Sequence, residues 1–231
     1  MAEITQTEEN KNEIYFTWYL EELKTAGYLE GYDREPENFL VLPSYLHNRE
    51  VHFKVKANGT EPFTMMREIT YTYDYRLFWT EKAMYIFTEI FDPSNPFVFG
   101  MPKFVSHLIK IGKEMKTVSF IDVKDHNVAT VYGRANSTAY TFPLIQKILM
   151  YTRGLYINKI IPTNNGKYGL TTCLFATTFT PTRYRHTDQS SRLRDIKFRK
   201  TTLETYANNR QTVIDGLLEK KQGNKSQQSL L

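Results

Sequence analysis

Phe120-Ile121-Asp122-Val123-Lys124 ends an apolar run with a carboxylate and an ammonium two residues apart. With Thr117-Val118-Ser119 before it, the segment 117–124 reads as a β-strand. Side chains repeat with period two along a strand, so Asp122 and Lys124 project from one face. Burying two charges there is costly unless they meet each other, a metal or water. An isolated acid on a neighbouring strand would complete a pair of carboxylates. The segment 67–79 supplies one in Asp74. Its odd positions Ile69, Tyr71, Tyr73, Tyr75, Leu77 and Trp79 form one apolar or aromatic face, and Thr70, Thr72, Asp74 and Arg76 form the other.

Other elements follow from the same patterning. Phe16, Tyr19, Leu20 and Leu23 recur at helical spacing, which predicts an amphipathic helix over 12–25 stopped by Gly27. Segments 38–46 and 50–57 predict two short strands, with a turn at Asn58-Gly59. Residues 83–91 read as a strand or a short helix, and 97–111 hold an apolar patch of unassigned type. A polar loop spans 125–137. A helix is predicted from about Ala139 to Arg153, a strand over 155–161, and a last Thr-rich strand over 170–179. Residues 1–11 and 222–231 read as disordered. The predicted domain covers 12–180 and is followed by a basic C-terminal extension over 181–221. The order of elements implies a mixed β-sheet flanked by helices, an α/β fold.

The chain has 231 residues with a formal charge of +5, a mild basic bias compatible with a nucleic-acid partner. Its 16 Tyr and 15 Phe favour strands and aromatic packing. The lone cysteine, Cys173, excludes an intrachain disulfide or cysteine zinc site, and its apolar setting predicts a buried small side chain. The N-terminus lacks signal-peptide character and no apolar stretch is long enough to span a membrane. A cytoplasmic protein is expected.

Two such carboxylates would anchor a hard cation, Mg²⁺ or Mn²⁺, with the Val123 carbonyl as a further oxygen ligand. Phosphodiester hydrolysis needs an activated water and neutralised phosphate charge, and such an ion serves both. Lys124 would orient the water and stabilise the anionic transition state. In the first helix, Glu13 lies closest of the acids to the buried stripe, roughly 70° from its centre. It reads as a third acid able to reach the cleft, or as an acid stabilised by the helix dipole.

These residues resemble the PD-(D/E)xK nuclease superfamily, the restriction-endonuclease-like fold, from about residue 12 to 162. The pattern is similar to small phage-encoded nucleases, which open with a helix like Glu13–Leu23 and continue with strands like Tyr71–Tyr75 and Ile121–Lys124. The resemblance implies a core of helix, three strands, helix and strand, and Mg²⁺-dependent cleavage of DNA in replication, recombination or packaging. It also implies a cleft-facing Gln or Lys on the second helix, here Gln146, and a possible homodimer that cuts both strands. Tyr73 stands where the family has proline, and Asp122 where Glu is commoner.

Downstream, Arg183, Arg185, Arg192, Arg194 and Arg199 lie among interleaved aromatics, a pattern suited to gripping DNA phosphates or to a solvated basic surface. His126 beside Asn127 reads as a loop residue. The competing functions are a non-catalytic nucleic-acid-binding protein and a phage structural or assembly protein.

Overall fold

The fold is that of a computed structural model, which describes residues 11–35, 38–51, 59–92, 94, 103–124, 137–163, 173–185 and 201–228. Helix α1 (Lys11–Thr25) buries Tyr15, Phe16, Tyr19, Leu20 and Leu23, the stripe predicted from the sequence together with Tyr15. It ends where Gly27 turns to φ +76°, with Tyr28 N–H on Leu23 O at 2.9 Å and Gly27 N–H on Lys24 O at 3.0 Å. That left-handed cap favours glycine.

Among the described residues ten strands follow: β1 (Leu29–Arg34), β2 (Asn38–Leu42), β3 (Tyr45–Val51), β4 (Gly59–Met66), β5 (Ile69–Thr72), β6 (Tyr75–Trp79), β7 (Thr88–Ile90), β8 (Phe104–Ile111), β9 (Glu114–Val123) and β10 (Ile157–Ile160). The helices after α1 are α2 (Ser137–Arg153), α3 (Leu174–Thr177), α4 (Thr182–Arg185) and α5 (Leu203–Gln228). The principal sheet runs β1-β6-β9-β8-β7, and β10 joins β9. The pairs β1–β6, β6–β9 and β8–β9 are antiparallel, while β10–β9 and β7–β8 are parallel, so the sheet is mixed. Two further antiparallel pairs, β2–β5 and β3–β4, stand apart from it.

Period-two alternation along β9 divides two cores. Ile121 and Val123 face the α1 side with Phe16, Leu20, Tyr75 and Phe104. Val118 and Phe120 face the α2 side with Phe142, Ile145, Leu149 and Ile157. Strand β9 thus carries β6 on one edge and first β8, then β10, on the other. Asn158 fills the fork between β8 and β10. Its amide donates to Val105 O at 2.9 Å and Phe120 O at 3.1 Å, and accepts Val105 N–H at 2.8 Å. Nearby, His107 Nε2 accepts the Tyr156 N–H at 2.9 Å, and Ser119 Oγ donates to Val105 O at 2.8 Å.

Several expectations are corrected. The run 69–79 is not one strand, because it breaks at Tyr73-Asp74. Tyr73 stacks on Phe39 in the α2-side core at 4.7 Å, while Tyr75 meets Phe16 in the α1-side core at 5.1 Å. Two aromatic cores therefore pull neighbouring odd positions to opposite sides. The expected strand 38–46 divides at Pro43-Ser44 into β2 and the start of β3. The predicted strand over 50–57 falls mostly outside the described residues; β3 ends at Val51, opposite Gly59 of β4.

The Thr-rich segment 170–179 contains helix α3 rather than a strand in its described part. The hydroxyls of Thr177 and Thr178 bond the carbonyls of Cys173 and Leu174 at 2.9 and 2.7 Å, and this local bonding overrides β-propensity. Cys173 is buried, as expected. Residues 222–228 continue α5, which Thr202 caps through the Thr205 N–H. Nor does the core stop at residue 180, since Tyr184, Leu203 and Ala207 pack into the α1-side cluster. Residues 1–10, 125–136 and 229–231, with the expectations that concern them, lie outside the described residues. Among the described residues no helix is long and apolar enough to cross a membrane.

Candidate metal and active site

The carboxylates meet at the C-terminal end of β9. Tyr75 pairs with Ile121, so Asp74, at the bend before β6, falls opposite Asp122. Its backbone N–H donates to Ile121 O at 2.9 Å, and its Oδ2 accepts the Val123 N–H at 2.5 Å. Val123 thereby holds Asp74 in place through its amide, a role the sequence did not suggest.

Asp122 is 1% exposed. The Tyr71 hydroxyl donates to its Oδ1 at 2.5 Å. The Lys124 ammonium lies 2.9 Å from Oδ1 and 2.7 Å from Oδ2. The Oδ1 contact is a hydrogen bond. The Oδ2 contact is close but misdirected, which leaves Oδ2 buried with a charge neighbour and no hydrogen bond. Lys124 donates its backbone N–H to Ile160 O at 2.8 Å, and its ammonium lies 5.8 Å from the Phe142 ring.

Burial and the charge of Asp122 push the Asp74 carboxyl up to about 6, against the opposing pull of the Val123 N–H and Lys124; Glu13 adds to the rise. Burial also raises Asp122, while Lys124, Tyr71 and Lys159 favour its ionised form. These directions follow from two like charges held in one partly desolvated place.

Glu13 stands in the first turn of α1. Its carboxylate pairs with Arg34 at 3.4 Å, and its charge reaches Asp74. Gln146 is committed elsewhere, donating to the carbonyl of Ile157 at 2.5 Å. Arg183 is exposed and lies over the Trp18 ring at 4.6 Å. Arg185 ends α4, with its side chain outside the described residues; Arg192, Arg194, Arg199 and His126 lie outside them altogether. Among the described residues no group of three or more His, Cys, Asp or Glu gathers at one point. The described acids at the end of β9 are therefore a pair.

Two residues of this cluster escaped the sequence reading. Tyr71 looked like one aromatic among several, although it lies three positions before Asp74. Lys159 looked like an incidental polar residue, although it interrupts the apolar strand β10. Its position in register with Asp122 becomes visible only once the strands are paired.

A carboxyl raised above its unfolded value makes a contribution to stability that is full below about pH 4 and lost as pH rises through about 6. Buried His107, whose pKa is lowered by desolvation, acts in the opposite sense as the pH falls. The comparison of wild type with Asp74→Asn isolates the first effect. In metal-free buffer Asp74→Asn is expected to melt higher than wild type at pH 7.5, with the gap closing towards pH 4–5. A gap that does not change with pH would show that Asp74 carries no unfavourable charge.

Comparison of the chain with protein-family models, curated proteins and solved structures finds no match. What is defined is a mixed α/β protein with two carboxylates and a lysine at adjoining strand ends.

Proposed function

We propose that this protein is a metal-dependent DNA nuclease of the restriction-endonuclease-like class. The observation that carries the reading is the meeting of two largely buried carboxylates, Asp74 and Asp122, at adjoining strand ends beside Lys124. Two like charges held together in that way are suited to a divalent cation. With β2–β5, β7 and β8 set aside as insertions, the elements α1, β1, β6, β9, α2 and β10 follow the helix, three strands, helix and strand that the resemblance implies, which supports the reading.

Asp74, Asp122 and the Val123 carbonyl would hold Mg²⁺ or Mn²⁺. Such an ion, when bound, neutralises phosphate charge and makes water a better nucleophile. The chain's own groups do the rest. The Val123 N–H fixes the Asp74 carboxylate, which is ionised above about pH 6. Tyr71 and Lys124 hold the Asp122 carboxylate in place. Lys124 orients the attacking water and stabilises negative charge that grows on the phosphate.

The test is incubation of supercoiled plasmid and a four-way DNA junction with the full chain in Mg²⁺, Mn²⁺ or EDTA. Cleavage with either ion and none in EDTA is expected. DNA binding without cleavage in either ion would overturn the nuclease reading and leave a non-catalytic binder. Neither binding nor cleavage would remove DNA from the account.

A further inference from the structure

Strand β10 places a second lysine beside the carboxylates. Lys159 is in register with Asp122 on the parallel neighbour β9. Residues in register on adjacent strands project from one face. One step back in the same two columns, Ile157 and Phe120 are both buried on the α2 side. Lys159 instead is exposed, in a strand whose other three residues are buried. Among the described residues no carboxylate lies within ion-pair distance of it. Its charge nevertheless acts on both Asp122 and Lys124.

The fold does not need this ammonium, because Lys124 already pairs with Asp122. Charge counting gives it a use. Two carboxylates and one divalent ion cancel, which leaves Lys124 and Lys159 as the net charge of the site. Two ammonium groups on one face form an attractor for a polyanion.

We propose that Lys159 is a phosphate-binding residue of this site, taking a DNA backbone phosphate next to the group that Lys124 serves. The assignment rests on the nuclease reading, but its test does not depend on cleavage. Lys159→Gln and Lys159→Arg are compared with wild type in the full chain, with Ca²⁺ in place of Mg²⁺ so that the carboxylates are neutralised, by fluorescence anisotropy of a labelled duplex across a salt series. Lys159→Gln is expected to bind about five- to tenfold more weakly at low salt. Its slope of log affinity against log salt should shrink by about 0.9, the value of one phosphate contact. Lys159→Arg should keep both properties and the wild-type melting temperature, and Lys159→Gln should remain folded. With Mg²⁺, the KM of Lys159→Gln should rise by a similar factor while kcat stays within about twofold.

Unchanged affinity and slope in Lys159→Gln would overturn the assignment, and wild-type cleavage alongside that result would leave the nuclease reading intact. Equal weakening in Lys159→Gln and Lys159→Arg would also overturn it. A Lys159-dependent slope in a wild type that never cuts would support the phosphate contact and sink the nuclease. A wild type without DNA affinity would overturn both.

Discussion

Asp122→Asn should lower Mg²⁺-dependent cleavage by at least about a hundredfold, the scale of losing one preorganised charge at a reacting centre. The substitution keeps the side-chain shape and an acceptor for the Tyr71 hydroxyl, which lies 2.5 Å from Oδ1. It removes the charge that the proposed ion requires, so Mn²⁺ binding measured by calorimetry should vanish with activity. Lys124→Ala should cost at least about as much cleavage. It should keep measurable ion binding, because both carboxylates remain. The two variants therefore separate holding the ion from acting on the phosphate. Parallel losses of melting temperature and activity in either variant would make the Asp122–Lys124 pair structural.

Asn158→Ala is expected to destabilise the fold by about 3–4 kcal/mol, since it breaks three buried hydrogen bonds and takes the Asn158 acceptor from the Val105 N–H, while Val105 O keeps the Ser119 hydroxyl. At about 2–4 °C per kcal/mol for a chain of this size, the melting temperature should fall by roughly 6–16 °C. The cause is topological. Where β8 leaves β9 and β10 enters, backbone groups lose their ladder partners, and one amide side chain stands in for the missing strand. A fall of less than about 1 kcal/mol would mean that water takes over those bonds without penalty. Because β10 also carries Lys159, DNA affinity should weaken in Asn158→Ala as well.

The two kinds of residue in this protein were legible to different degrees. Helix α1 was readable because its burial repeats at the helical period and Gly27 supplies a left-handed stop. Strand β9 was readable because an apolar run ends in charges with period two. Both signals are local. The break at Tyr73-Asp74 was hidden because strict alternation over 69–79 suits one strand, and only the presence of a core on each sheet face separates Tyr73 from Tyr75. Helix α3 was hidden because threonines favour strands until their hydroxyls bond nearby carbonyls. Helix α5 was hidden because its buried positions, Leu203, Ala207 and Ile214, are sparse and its exposed ones numerous.

The sequence by itself determined which residues have the chemistry. Asp74, Asp122 and Lys124 stand out because charges beside apolar strand segments need partners. Tertiary structure alone decided which of them meet, and what stands around them. Asp74 comes to the end of β9 because β6 runs antiparallel to it, and Tyr71 comes with Asp74 as part of the preceding strand. Lys159 comes to Asp122 because β10 is parallel to β9 and lies in register with it. Strand pairing joins residues tens of positions apart, and its register depends on which faces both cores bury, a property of the whole chain rather than of any segment.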